Sequence, residues 1–293
     1  MLMIDYIRVQ AEKVEAHLGG LIPNGEVPQR RLYEAARYSL MSGGKRLRPV
    51  LTLATAQALG ASEEASLTPA CALEFVHTYS LIHDDLPCMD DDDYRRGKPT
   101  VHKVYPESHA VLAGDYLLTY AFEILSNAPL LTSEQKLQLV LTLAKNIGGE
   151  GLIGGQILDL EAEEHVAEIE ALQDIHHKKT ALLISTAVEF GGIVAGAPKS
   201  QITILRNFGI HIGLAFQIID DVLDVTASEA KHGRAGGSDA ANAKATYVTL
   251  LGIEEARRLA ISLTAEAIEL LQTLPYDTSP LEGIASFALE RQQ

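Results

Sequence analysis

Two runs of aspartate carry the strongest chemical signal in this chain. The first, Asp84-Asp85-Leu86-Pro87-Cys88-Met89-Asp90, has the spacing D-D-x-x-x-x-D and continues through Asp91, Asp92 and Asp93. The second is Asp220-Asp221-Val222-Leu223-Asp224. Each follows a long apolar segment of helical periodicity, which predicts carboxylates gathered at a helix end, the wrong pole of the macrodipole for negative charge. Asp220 and Asp224 share a helical face one turn apart, where like charges repel by ~0.2–0.5 kcal/mol on an exposed helix. Both clusters oppose their own formation unless a cation sits among them. Carboxylate oxygens are hard ligands, and Mg²⁺ takes one or two of them together with water and phosphate oxygens. Two such clusters could therefore hold several Mg²⁺ on a diphosphate. The loop after Asp84 lacks the D-x-D-x-D-G order of a calcium-binding hand, and clustered His and Cys ligands for zinc are missing.

The chain is acidic, with 39 Asp and Glu against 24 Lys and Arg and a formal charge of -15, so nucleic acid is excluded as a general partner. Cationic clusters in such a chain need a reason. There are three: Lys45-Arg46-Leu47-Arg48 after Gly43-Gly44, Arg95-Arg96-Gly97-Lys98 directly after the aspartates, and Lys178-Lys179. Glycine lets backbone approach a phosphate closely, and arginine presents a planar fork matched to phosphate oxygens. Carboxylates, glycines and arginines together point to a diphosphate held partly through metal and partly by direct cationic contact. G-x-x-x-x-G-K-[ST] is absent, which argues against nucleoside triphosphate hydrolysis.

Long helices must position these groups. Of 293 residues, 47% are hydrophobic and only 5% aromatic, with no Trp, and the aliphatic bulk of Leu, Ala and Ile favours helix over strand. Breaks fall near Gly19 to Pro28, Ser42 to Gly44, Gly60 to Pro69, Leu86 to Pro99, Asn127 to Thr132, Gly148 to Gly151, Gly191 to Pro198 and Ala227 to Ala245. No stretch alternates over strand length, so no sheet is expected and the fold class is all-α. Residues 1–293 read as a single domain. Cys71 and Cys88 are the only cysteines and show no metal spacing, which fits a reducing, cytoplasmic setting. An acid at Asp5 interrupts any signal-peptide core, and uncharged stretches such as Asn207 to Ile219 are too short for a membrane span.

With these residues in place, the sequence resembles the trans-isoprenyl diphosphate synthases, most closely the bacterial farnesyl type. The likeness follows the family's order through Gly43 to Pro49, His77 to Thr100, Gly155-Gln156 with Asp159, Lys179-Thr180, Gln217 to Asp224 and Gly237 to Tyr247. It implies an all-α helical bundle around a central cavity, with the two aspartate motifs facing each other across its mouth, and a homodimer. Carried over by position, Asp84, Asp85, Asp90 and Asp220 match Mg²⁺ ligands, with Asp221 and Asp224 supporting the second site. The family implies about three Mg²⁺ per active site, with Mn²⁺ as a substitute. Gly44, Lys45, Arg48, His77 and Arg96 match the isopentenyl diphosphate site; Arg95, Lys179 and Lys244 match contacts to the allylic diphosphate; Thr180 and Gln217 match residues lining the reacting carbons.

The implied reaction is ionisation of an allylic diphosphate, attack on the cation by the double bond of isopentenyl diphosphate, and loss of a proton to the released pyrophosphate. The residues one turn before the first motif, Tyr79 and Ser80, match the family's cavity floor, and a phenol there predicts a C15 farnesyl product from dimethylallyl or geranyl diphosphate. A C20 geranylgeranyl synthase, a terpene cyclase and a non-catalytic synthase subunit are the alternatives. A cyclase has little use for Lys45, Arg48 and Arg96, and a non-catalytic subunit is expected to lose aspartates. Three positions depart from the family pattern: Ala181 stands where Gly is usual, Arg234 where Lys is usual, and Val248 where Pro is common after Thr-Tyr.

Overall fold

The computed structural model describes residues 2–162, 168–232 and 245–290, and the chain divides into two units, 1–140 and 141–293. The first unit contains α1 (Met3–Leu21), α2 (Arg30–Leu40), α3 (Leu47–Ala58), α4 (Glu63–Asp84), a hairpin of β1 (Tyr94–Arg95) and β2 (Lys98–Pro99), α5 (Val101–Val104) and α6 (Glu107–Ser126). Helix α7 (Ser133–Ile147) leads into the second unit. That unit holds α8 (Leu152–Ala162), α9 (Ile169–His176), a π-helical turn (His177–Ala181), α10 (Leu182–Val194), α11 (Lys199–His232), α12 (Tyr247–Leu251), α13 (Ile253–Gln272) and α14 (Ser279–Glu290). The all-α expectation holds, with the two-residue ladder of β1 and β2 as the one departure among the described residues. A ladder that short contains no alternation for a sequence pattern to show.

Helix α4 is the spine of the first unit and packs against α3 and α6. Ser62 caps it by accepting the Ala65 amide at 3.3 Å, and Glu63 and Glu64 complement the dipole in its first turn. The break expected from Gly60 to Pro69 is therefore shorter: Pro69 lies inside the helix, buried, where it removes one backbone donor without ending the helix. The C-terminus falls at Asp84, because Pro87 disfavours helix just before it. Leu51, Leu73, Phe75, Val76 and Leu117 are fully buried around this spine, each contributing roughly 1.5–3 kcal/mol.

In the second unit α10 is buried from Leu183 to Val194, so the helix runs through Gly191 and Gly192, where a break was expected. Helix α11 packs against α10 and α13. Lys199–Thr226 is long and apolar enough to cross a membrane by composition, yet Leu205, Phe208, Ile218 and Val222 on it are buried within the protein. It continues past Asp224 to His232, so the second aspartate run lies within a helix and not at its end. Beneath that run, Ile218, Ile219, Val222, Leu172, Tyr247, Ala256 and Ala260 form one apolar cluster.

Candidate active site

The end of α4 organises the first aspartate cluster. After Asp84 the chain folds back, with the Asp90 amide donating to the Asp84 carbonyl at 2.9 Å and the Asp91 amide to Leu86 at 3.1 Å. This turn explains the D-D-x-x-x-x-D spacing, since the four intervening residues return Asp90 to the level of Asp84. Asp85 is buried, and Arg95 Nε donates to its Oδ1 at 2.5 Å while Arg95 Nη2 reaches Asp92 at 3.0 Å. Burial pushes the Asp85 carboxyl up to about 6; Arg95 opposes the shift, and Asp92 and Asp90 add to it. Burial is the main cause of that shift and the neighbouring aspartates are the smaller one; a cluster of carboxylate oxygens of that kind fits a hard divalent cation. Asp91, Asp93 and His102 also bring ligand atoms within 4.8 Å of one another, although Lys103 pairs with Asp93 at 2.6 Å.

Arg95 is delivered by the hairpin. Its register pairs Tyr94 with Pro99 and Arg95 with Lys98, leaving Arg96 (φ 52) and Gly97 (φ 74) as a two-residue turn. Two left-handed residues there match the right-handed twist of the strands. Tyr38 donates to the Pro99 carbonyl at 2.8 Å, and Arg96 Nη1 donates to the Gly43 carbonyl. Gly44 lies against that arginine: its φ is +134, and a Cβ there would stand 2.8 Å from Arg96 Cζ. His77, on α4, is held neutral well below the ordinary imidazole value, by burial first and then by Arg48, Arg96, Arg95 and Arg46. Gly44, Arg48, His77 and Arg96 thus belong to one cationic neighbourhood, and Lys45 lies exposed in the same loop.

Tyr79 is 5% exposed, and its hydroxyl meets no hydrogen-bond partner among the described residues. Its ring packs edge-on against His83 one turn later, at 5.8 Å. His83 in turn touches α6 through the Val111 carbonyl at 3.0 Å. Ser80 turns its hydroxyl back to the His77 carbonyl at 3.0 Å.

In the second unit the π turn displays Lys179 and Thr180, a distortion that recurs at functional sites because it adds a residue to the helical repeat. Lys179 pairs with Asp159 at 2.6 Å. Thr180 Oγ1 donates to Gln217 Oε1 at 3.0 Å, Gln217 Nε2 donates to Asp221 Oδ1 at 3.0 Å, and the Tyr247 amide donates to Asp221 Oδ2 at 3.0 Å. Asp221 is buried and uses both oxygens inside the protein, whereas Asp220 and Asp224 lie half-buried on a different face of α11. Ala181, where glycine is usual, is accommodated by Gly213 across the crossing, since a Cβ there would stand 2.6 Å from Ala181 Cα. Lys244 and Arg234 lie outside the described residues. Sequence reasoning noted Asp159 without a role and missed Tyr247 as the anchor of Asp221; the only signal was their place in the family's motifs.

The sequence pattern of the polyprenyl synthetase family matches residues 29–273, which takes in both aspartate clusters. The chain belongs to this family. Among relatives of this prenyl synthetase, a farnesyl diphosphate synthase of Bacillus subtilis (strain 168) is 50% identical over 228 residues, 77% of each chain. A chloroplastic geranylgeranyl pyrophosphate synthase of Catharanthus roseus is 47% identical over 265 residues, 89% of this chain and 74% of its own. Among solved structures, an FPP/GFPP synthase from Zymomonas mobilis superposes with a TM-score of 0.88 at 38% identity, covering 98% of both chains. The protein is thus a prenyltransferase of the short-chain trans group, acting on small isoprenoid diphosphates in a family that uses a divalent metal.

Proposed function

We propose that this prenyl synthetase condenses isopentenyl diphosphate with dimethylallyl or geranyl diphosphate and stops at C15 farnesyl diphosphate. The observation that carries the chain length is Tyr79, a buried phenol five residues before Asp84 on the helix that bears the first aspartates. Bound Mg²⁺, held by Asp84, Asp85 and Asp90 in the first cluster and by Asp220 and Asp224 in the second, supplies Lewis-acid neutralisation of the leaving diphosphate. About three such ions per site are proposed, and Asp221 serves as the anchor that fixes the second cluster. Arg95, Lys179 and Lys244 bind the allylic diphosphate and stabilise the charge that develops as its C–O bond breaks, giving pyrophosphate and an allylic cation. Lys45, Arg48, His77 and Arg96 hold isopentenyl diphosphate so that its double bond attacks the cation. Thr180 and Gln217, joined by their hydrogen bond, flank the reacting carbons with polar groups of low charge. The new C–C bond leaves a cation on the former isopentenyl unit, which loses a proton to pyrophosphate and so gives the product double bond; no side-chain base is required.

The residues form one catalytic domain in this reading, and the protein works as a cytoplasmic homodimer. Support for pairing comes from exposed apolar residues at Val111 and Leu112 on α6 and at Leu137 and Leu141, one turn apart on α7. The test compares wild type with Tyr79→Ala, using labelled isopentenyl diphosphate, geranyl diphosphate and Mg²⁺. Wild type is expected to give C15 and the variant C20 or longer. A variant that condenses normally but still stops at C15 removes Tyr79 as the floor, and C20 from wild type favours the geranylgeranyl reading that the name of the Catharanthus roseus relative suggests.

A further inference from the structure

Among the basic residues of the Gly43–Arg48 loop, Arg46 behaves differently from its neighbours. Lys45 beside it is exposed, whereas the Arg46 side chain is fully buried. Its backbone is left-handed (φ 48, ψ 33) at the start of α3, a conformation uncommon for a residue with a Cβ. The guanidinium is fixed by three elements at once. Nη1 donates to Glu74 Oε1 on α4 at 2.6 Å, Nη2 donates to the Leu40 carbonyl at the end of α2 at 2.6 Å, and Nε donates to Glu15 Oε1 on α1 at 3.3 Å. Glu74 is itself buried, and it stands one turn before His77. On the outer side of the same loop, Arg96 donates to the Gly43 carbonyl.

A buried ion pair is weak support for stability, because well-packed apolar residues of the same volume serve as well or better. What a three-way guanidinium anchor does supply is geometry: it fixes a strained loop residue, and with it the residues on either side. We propose that Arg46, clamped by Glu74, Glu15 and the Leu40 carbonyl, is a positioning residue that sets Lys45 and Arg48 for the diphosphate of the homoallylic substrate. This rests on the functional reading above, in which Lys45, Arg48, His77 and Arg96 bind isopentenyl diphosphate. Arg46 contacts no substrate; it acts through the residues that flank it. Its effect is therefore confined to one of the two substrates, which a role in folding alone is not.

The test measures KM for isopentenyl diphosphate, KM for geranyl diphosphate, kcat and Tm in wild type, Arg46→Lys and Glu15→Gln. A lysine keeps the charge but offers one ammonium where three anchors need a fork. Arg46→Lys is expected to raise KM for isopentenyl diphosphate about tenfold, inside the ~10²-fold that a 1 Å misplacement produces, with KM for geranyl diphosphate and kcat within about twofold. Glu15→Gln weakens only the half-exposed arm, and is expected to raise the same KM about twofold to threefold with Tm unchanged. If Arg46→Lys does not fold, Glu15→Gln decides alone. An unshifted KM for isopentenyl diphosphate, or equal rises in both KM values, overturns the positioning role. Failure of wild type to incorporate isopentenyl diphosphate overturns the functional reading and the positioning role with it, whereas normal wild-type turnover with unshifted variants removes the positioning role alone.

Discussion

The two aspartate clusters reach similar composition by opposite construction. The first is assembled where a helix stops: Asp84 ends α4, Asp85 caps it, Asp90 returns through a turn, and a two-residue hairpin brings Arg95. The second sits within the continuous helix α11, and its order comes from outside, through the Thr180–Gln217–Asp221 chain and the Tyr247 amide. In the first cluster the buried carboxylate is paired with an arginine through Oδ1, and burial is the main cause that raises it. In the second the buried carboxylate is a structural acceptor. A carboxylate held through one oxygen by an arginine can offer the other to a metal, and one with both oxygens engaged holds the scaffold. Burial alone does not separate these roles; hydrogen-bond partners do.

The sharpest way to break this contrast is to neutralise both buried carboxylates. Asp85→Asn is expected to lower kcat by ~10²–10³-fold and raise the Mg²⁺ needed for half-maximal rate, the scale seen when one transition-state electrostatic group is lost. Steady-state assays across a Mg²⁺ series check it, and a kcat within twofold of wild type would contradict the assignment.

The next effect is on pH. His176 is pushed down to about 4 by burial, with Lys179 adding to the shift and Asp159 opposing it, and its Nδ1 is buried without a partner. A lowered imidazole means that the unfolded chain binds the extra proton first. Its stability contribution is full above pH ~6.5 and is lost as pH falls toward 4, up to roughly 3 kcal/mol for a shift of this size. Asp85 gives the opposite slope in the metal-free protein. With its carboxyl raised from an ordinary 3.8 to about 6, its contribution is present at low pH and lost as pH rises through 6. Urea titrations from pH 4 to 7 on His176→Gln and Asp85→Asn separate the two slopes. His176→Gln should flatten the loss on acidification.

Asp221→Asn tests the scaffold role. An asparagine presents an amide donor to either Gln217 or the Tyr247 amide, both of which already donate, at an expected loss of about 2 kcal/mol of stability. Denaturant unfolding reads this, and a variant of unchanged stability that needed more Mg²⁺ for half-maximal rate would move Asp221 into the metal set. The smallest effect is Tyr79→Phe, which removes a buried hydroxyl without a partner. It should raise stability by about 1 kcal/mol and leave product length unchanged, because the ring remains.

Much of this architecture is legible in the sequence. Apolar spacing from Ala70 to His83 and from Lys199 onward predicts the two motif-bearing helices, and Pro87 predicts where the first one ends. Asp84, Asp85, Asp90 and Arg95 are found together, as their spacing suggests. Legibility ends where tertiary partners decide. Pro69 and Gly191 read as breaks but lie in helices, because packing of α4 and α10 outweighs local propensity. The π turn at His177–Ala181 has no sequence period of its own. Arg46 reads as one more cation of a diphosphate-binding run, since its burial depends on Glu15 and Glu74, which are remote in the chain. Residues Gly233 to Lys244 lie outside the described residues, so Arg234 and Lys244 remain assignments by family position.

The most direct test of the central claim offers wild-type protein farnesyl diphosphate as the only primer, with labelled isopentenyl diphosphate and Mg²⁺, beside a geranyl diphosphate reaction. The expected result is C15 product from geranyl diphosphate and no incorporation from farnesyl diphosphate. Efficient extension of farnesyl diphosphate to C20 would contradict it, leaving the prenyltransfer chemistry in place and removing Tyr79 as the residue that ends the chain.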